Sequence, residues 1–166
     1  MTYWRERRHM RYYTQVLDCA RRHAPGGGSV LDVGGRDCDY IAWFDWFQRQ
    51  VVLDLKPPPP RSGVETIAGD FLAWQADATF DLVLCLQGLE HLADPVPFCR
   101  KLLASGRVVI VSVPYCWPRG LCRYHLQDPV DEAKLLGWAG RPARELAISV
   151  DGRRASLIAV FDGAVV

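Results

Sequence analysis

Four apolar runs in this sequence end in residues suited to holding a ligand. Val30-Leu31-Asp32-Val33 runs into Gly34-Gly35, Val51-Val52-Leu53 ends at Asp54, residues 64–68 lead to Gly69-Asp70-Phe71, and residues 80–86 stop at Gln87. One aspartate in such a place is ordinarily a helix cap or a turn residue. Three of them, at the ends of three successive strands, form a polar edge that packing does not require. A carboxylate there accepts from two neighbouring hydroxyls at once, and a glycine turn lets backbone approach a ligand closely. Two histidines follow later strands: His91 just past the fourth, His125 in the loop after the fifth. A neutral imidazole is available near neutrality to take a proton. His9 and His23 stand in the N-terminal segment and read as surface residues. Cys116, Cys122 and His125 are metal-binding types, but C-x-x-C spacing is absent.

The elements that position these residues follow from periodicity and punctuation. From Tyr13, apolar residues recur at Val16, Leu17 and Ala20, one face of a helix, before Gly26-Gly27-Gly28. A strand through Val30 to Val33 feeds the glycine turn. Residues 40–47, dense in aromatics, predict a short buried helix. The four prolines 57–60 exclude a crossover helix, since each lacks a backbone donor and clashes with the preceding turn. The connection to the third strand is therefore short and extended. Asp94-Pro95 reads as an N-cap with proline at the first helical position, and Gly106 stops that helix. Val108-Val109-Ile110-Val111 is another buried strand. Asp128-Pro129 repeats the cap signal, Asp131 and Glu132 favour the positive end of the helix dipole, and Gly140 ends the helix. Residues 146–150 and 155–161 flank Asp151-Gly152, a hairpin signal. Alternating strands and helices build a mostly parallel α/β sheet, and ligands bind such sheets outside the carboxyl ends of the strands.

With 166 residues the chain suits a single domain over 1–166, residues 1–25 being an N-terminal helical segment. A formal net charge of +1 argues against a general nucleic-acid partner. Arg5, Arg7, Arg8, Arg11, Arg21 and Arg22 do crowd the first segment, which reads as the solvated face of a helix. No stretch approaches membrane-spanning length. The six cysteines lack a secretory context, because the start of the chain is charged and aromatic rather than a leader. Cys85 and Cys99 fall in apolar patterns and read as small buried hydrophobes. The expected compartment is a reducing cytoplasm.

Val30-Leu31-Asp32-Val33-Gly34-Gly35, Asp54, Asp70-Phe71, the strand at residues 80–85 and Gln87-Gly88-Leu89-Glu90-His91-Leu92 together resemble the motifs of class I S-adenosylmethionine-dependent methyltransferases, of the small type 11 kind. The resemblance runs from about Val30 to Phe161. It implies a Rossmann-like, mostly parallel sheet with helices on both faces and a C-terminal antiparallel hairpin. It also implies S-adenosylmethionine as cofactor and S-adenosylhomocysteine as product. Asp32, Gly34 and Gly35 would then meet the methionine part, Asp54 the ribose, and Asp70 and Phe71 the adenine, with Leu55, Leu86 and Gln87 as further cofactor-binding residues. One departure stands out: where further glycines would follow Gly34, this chain has Arg36 and Cys38. Arg36 is placed to meet the cofactor's carboxylate or to face water. A dinucleotide-binding dehydrogenase would need G-x-G-x-x-G here, and residues 34–39 do not supply it.

The same resemblance implies methyl transfer to an oxygen or nitrogen. The Asn-Pro-Pro-Tyr and Pro-Cys sequences of base-methylating enzymes are absent, which leaves a small molecule of sugar or secondary-metabolite type. His125 is the first choice as catalytic base and His91 the second. Glu90, His91 and His125 are similar to the metal-binding set of small-RNA 2′-O-methyltransferases and some quinone O-methyltransferases. Those enzymes place a glutamate where this chain has Gln87, and an amide is a poorer ligand for a hard cation, so no metal is expected. The Tyr3-Trp4 segment and the loop 115–127, with Trp117, Arg119, Arg123 and Tyr124, are the segments able to roof the site. That loop suits a polar or anionic acceptor, or a homodimer contact. Two alternatives stand beside this reading: a cofactor-binding domain without catalysis, and an RNA-directed enzyme using the N-terminal arginines.

Overall fold

In the computed structural model, which describes residues 3–163, the four runs are strands β1 (Ser29–Val33), β2 (Arg49–Asp54), β3 (Val64–Ala68) and β4 (Phe80–Leu86). With β5 (Gly106–Pro114), β6 (Glu145–Asp151) and β7 (Arg154–Asp162) they form one sheet, ordered β3-β2-β1-β4-β5-β7-β6. The first five are parallel; β7 runs antiparallel between β5 and β6. Strand order reverses between β1 and β4, so a crevice opens there at the carboxyl ends. Asp54 pairs with Ala68, and Val33 with Leu53, which brings the polar strand ends to one edge.

Each sheet face carries its own apolar layer. On one, helix α2 (Arg11–His23) packs Tyr12, Val16 and Ala20 against Val30, Leu82, Leu84 and Ile110. The other is covered by α3 (Pro95–Ser105) and α4 (Glu132–Ala139), whose Leu102 and Leu135 meet Leu31, Val83 and Val109. A short helix α1 (Tyr3–Arg7) precedes them, and its Trp4 lies edge-on to Tyr13 at 4.9 Å between centroids. Tyr3's side chain lies outside the described residues.

The cap reading holds for α3, where the Asp94 carboxylate accepts from the Val96 N–H. It fails one helix later. Pro129 does not open α4; the N-cap is Asp131, which accepts from Lys134, and Asp128 is buried in another role. The aromatic stretch at residues 40–47 makes a single 3₁₀ turn, Tyr40–Trp43, rather than an α-helix. Tyr40, Ile41, Phe44 and Phe47 are buried, Ile41 and Phe44 fully, while Trp43 and Trp46 are partly covered. His23 is not a surface residue. It is largely covered and pairs with Glu145 at 2.6 Å, beside the Arg22–Glu145 ion pair.

β3 reaches the sheet without a helix, as the prolines require. Arg61 fastens this connection to the segment after the glycine turn: its Nε donates to Asp39 at 2.7 Å and its Nη2 to the Arg36 carbonyl at 2.6 Å. Arg36 itself turns toward the Pro57 carbonyl and Asp37. The segment lacking the expected glycines is thus held from outside by a largely covered arginine.

Candidate active site

A cavity of about 510 Å³ opens at the carboxyl ends of β1, β2 and β4. Asp32, Gly34, Gly35, Asp54, Leu55, Asp70, Phe71, Leu86 and Gln87 all line it, and so does His91. Sequence reasoning missed Tyr12, Tyr13, Cys38, Tyr40 and Phe98, which complete the wall. The two tyrosines come from α2, whose apolar periodicity shows a buried face but not which pocket that face closes.

Asp32 is fully buried at the first turn. Its Oδ1 accepts from the Tyr40 hydroxyl at 2.6 Å, while Oδ2 has no hydrogen-bond partner. Burial pushes its carboxyl up to about 7, the Tyr40 hydrogen bond and Arg61 working against the rise. Gly34 sits at φ 88 and its N–H donates to the Leu53 carbonyl, so the turn needs glycine there. Asp54 accepts from the Lys56 N–H with Oδ1, and Asp70 from the Leu72 N–H with Oδ1. Each keeps a second oxygen for a ligand. Phe71 is buried, with Phe98 at 4.8 Å between centroids. Gln87 is in the left-handed region at φ 55, an unfavourable conformation for its residue type of the kind that collects at functional sites. Its amide donates to Ser112 Oγ, which also meets the Tyr12 hydroxyl at 2.6 Å, tying β4, β5 and α2 together.

Beyond the cavity's His91 lies a second cluster. The rings of His91 and His125 are 4.9 Å apart edge-to-face, and Trp117 stacks on His125 at 5.6 Å. His125 is not on the cavity wall; it stands one ring behind His91. His125 Nδ1 bonds to Asp128 Oδ2 at 2.8 Å, both side chains almost wholly covered. His91 Nδ1 bonds to the Tyr124 carbonyl at 3.0 Å. Glu90 is 1% exposed and neither carboxylate oxygen has a hydrogen-bond partner. Burial raises its carboxyl to about 8. Glu90, His91 and His125 each present a donor atom within 4.8 Å of the others. Cys116 and Cys122 are not part of that group, and Cys85 and Cys99 are buried free thiols. On the loop after β5, Arg119, Arg123 and Tyr124 are exposed.

No protein-family model matches this sequence, and no curated protein is similar enough to it in sequence to align. Solved structures do match. The N-methyltransferase NodS from Bradyrhizobium japonicum WM9, in complex with S-adenosyl-L-homocysteine, superposes at TM-score 0.73 with 16% identity, over 93% of this chain and 86% of that one. Magnesium protoporphyrin IX methyltransferase (ChlM) from Synechocystis PCC 6803, with bound S-adenosylhomocysteine, gives TM-score 0.70 and 15% identity, over 94% and 84%. The chain has the class I methyltransferase fold. The methyltransferase domain of bacterial CtHen1 shares this fold at TM-score 0.68 and 14% identity, over 91% of this chain and 97% of that domain. No helix among the described residues is long and apolar enough to cross a membrane.

Proposed function

We propose that this class I fold binds S-adenosylmethionine and transfers its methyl group to an oxygen or nitrogen of a small molecule, releasing S-adenosylhomocysteine. The observation that carries the reading is one cavity whose lining gathers the glycine turn, Asp54, Asp70 and His91. Neighbours with the same fold, NodS and ChlM, were solved with S-adenosylhomocysteine. The Asp54 carboxylate receives the ribose hydroxyls, Asp70 the adenine amino group, and Phe71 the ring. Gly34 and Gly35 let backbone approach the methionine part, with Asp32 beneath it.

The reaction is an in-line displacement in which the cofactor supplies the activated methyl group. A lone pair on the acceptor forms the new bond to carbon as the carbon–sulfur bond breaks, and that electron pair stays on sulfur as a neutral thioether. A hydroxyl acceptor must also lose its proton. His91 lines the cavity and takes that proton through Nε2, its Nδ1 being engaged by the Tyr124 carbonyl, while His125, the first choice from the sequence, packs edge-to-face behind it and is held by Asp128. The exposed Arg119, Arg123 and Tyr124 favour a polar or anionic acceptor. The RNA-directed alternative loses support from two of the three α2 arginines: Arg22 is paired with Glu145, and Arg21 lies 4.4 Å over the Trp46 ring.

An acceptor screen with methyl-labelled donor tests this reading. Label is expected in a low-molecular-weight product that retains it as an O- or N-methyl group. Transfer to RNA alone, with a rate that falls steeply with salt, would replace the small-molecule acceptor by the RNA-directed alternative.

A further inference from the structure

We infer that Asp151, at the end of the edge strand β6, is a positioning residue for the cavity: it fixes the first turn of α2 so that the Tyr12 hydroxyl donates to the carboxylate of the bound cofactor. This role rests on the cofactor reading above and adds two residues to it. Helix α2 starts without a cap of its own, because Met10 stands at its N-cap and has no side-chain oxygen to offer the orphan N–H groups. Asp151 supplies the oxygens from a distant part of the chain. Its Oδ1 accepts from the Arg11 N–H at 2.7 Å and its Oδ2 from the Tyr12 N–H at 3.2 Å. A carboxylate here also meets the positive end of the helix dipole. At the other end of β6, Glu145 pairs with Arg22 and His23 in the last turn of α2. One strand therefore holds the helix at both ends.

The residue placed in this way faces the ligand, since Tyr12 is on the cavity wall. The direction of its hydroxyl proton follows from its neighbours. The backbone N–H and the side-chain amide nitrogen of Gln87 both reach Ser112 Oγ at 3.3 Å, and such groups only donate. With its lone pairs so engaged, the serine sends its single proton to its remaining partner, the Tyr12 oxygen at 2.6 Å. Tyr12 keeps its own proton to give. Burial holds that phenol well above its ordinary range, so it stays a donor. Tyr40, also on the wall, has spent its hydroxyl on Asp32. Charge selects the group that Tyr12 receives. Among the described residues the wall carries Asp32, Asp37, Asp54 and Asp70 but no lysine or arginine. Arg36 turns away to the Pro57 carbonyl and Asp37. Those acids suit the cationic parts of a ligand, whereas a carboxylate calls for a neutral donor. S-adenosylmethionine has one carboxylate, on its methionine part. Tyr12 stands by that end: its ring lies 4.8 Å from that of Tyr13, whose hydroxyl is 3.7 Å from Cys38 Sγ, just past the glycine turn.

The test titrates the full chain with S-adenosylhomocysteine and with 5′-methylthioadenosine, which keeps the adenosine and the sulfur but lacks the carboxylate. Tyr12→Phe is expected to weaken S-adenosylhomocysteine binding by about tenfold or more, the scale of a hydrogen bond to a charged group, and to leave 5′-methylthioadenosine affinity unchanged. Asp151→Ala should show the same selectivity at about fivefold, the scale of a lost cap. Asp151→Asn, which keeps one accepting oxygen, should fall between it and the wild type. Wild-type affinity for S-adenosylhomocysteine in Tyr12→Phe, or an equal loss for both ligands in either variant, overturns the assignment. Absence of S-adenosylhomocysteine binding by the wild-type chain would instead remove the cofactor reading and this role together.

Discussion

Turnover of His125→Ala is expected to fall by roughly 10²-fold or more, with S-adenosylhomocysteine affinity nearly unchanged. The separation follows from position. His125 is held by Asp128 and stacked on Trp117, behind His91 and off the wall of the cavity proposed for the cofactor. Removing its ring disturbs acceptor activation and leaves Asp54, Asp70 and the glycine turn in place. His91→Ala should lose a similar factor or more, because His91 lines the cavity and its ring packs on His125. Steady-state turnover of both variants, with titration of S-adenosylhomocysteine, checks this. A loss confined to one histidine would assign a simple base to that residue. A parallel loss of cofactor affinity would move the histidines into the cofactor site.

Gly35→Ala is expected to be nearly as damaging, for a steric reason. A Cβ at this position would lie 1.5 Å from Asp32 Oδ2 and 2.4 Å from its Cγ. Asp32 cannot step aside freely: it is fully buried and held by the Tyr40 hydroxyl. Overpacking of this kind costs about 1–3 kcal/mol, and moving the turn also removes backbone from the cofactor's path. Denaturant unfolding should show that loss of stability, and S-adenosylhomocysteine affinity should drop at least tenfold. Wild-type affinity in this variant would mean the turn does not contact the cofactor.

Much of the site was legible because strand ends carry strong local signals. An apolar run, a carboxylate and a glycine turn announce themselves within a few residues, and the parallel sheet brings such ends together without further information. The Asp151-Gly152 turn and the Asp94 cap are equally local. What escaped reading depends on contacts between distant segments. Asp128 before Pro129 has the chemistry of a cap, but tertiary contacts bury it beneath His125, and Asp131 caps α4 instead. The isolation of Glu90 appears only when the loop after β5 closes over it, the N–H of Leu126 donating to the Glu90 carbonyl. The folded chain also brings Glu90 and His91, after β4, close to His125, after β5.

The most direct measurement is a calorimetric titration of S-adenosylhomocysteine into the wild-type chain and into Asp54→Ala. One molecule should bind per wild-type chain, and the variant should lose about 1.5–3 kcal/mol, the range for hydrogen bonds to a charged group. Absence of binding to the wild type would contradict the account, and equal affinity in a folded Asp54→Ala would contradict its placement of the cofactor.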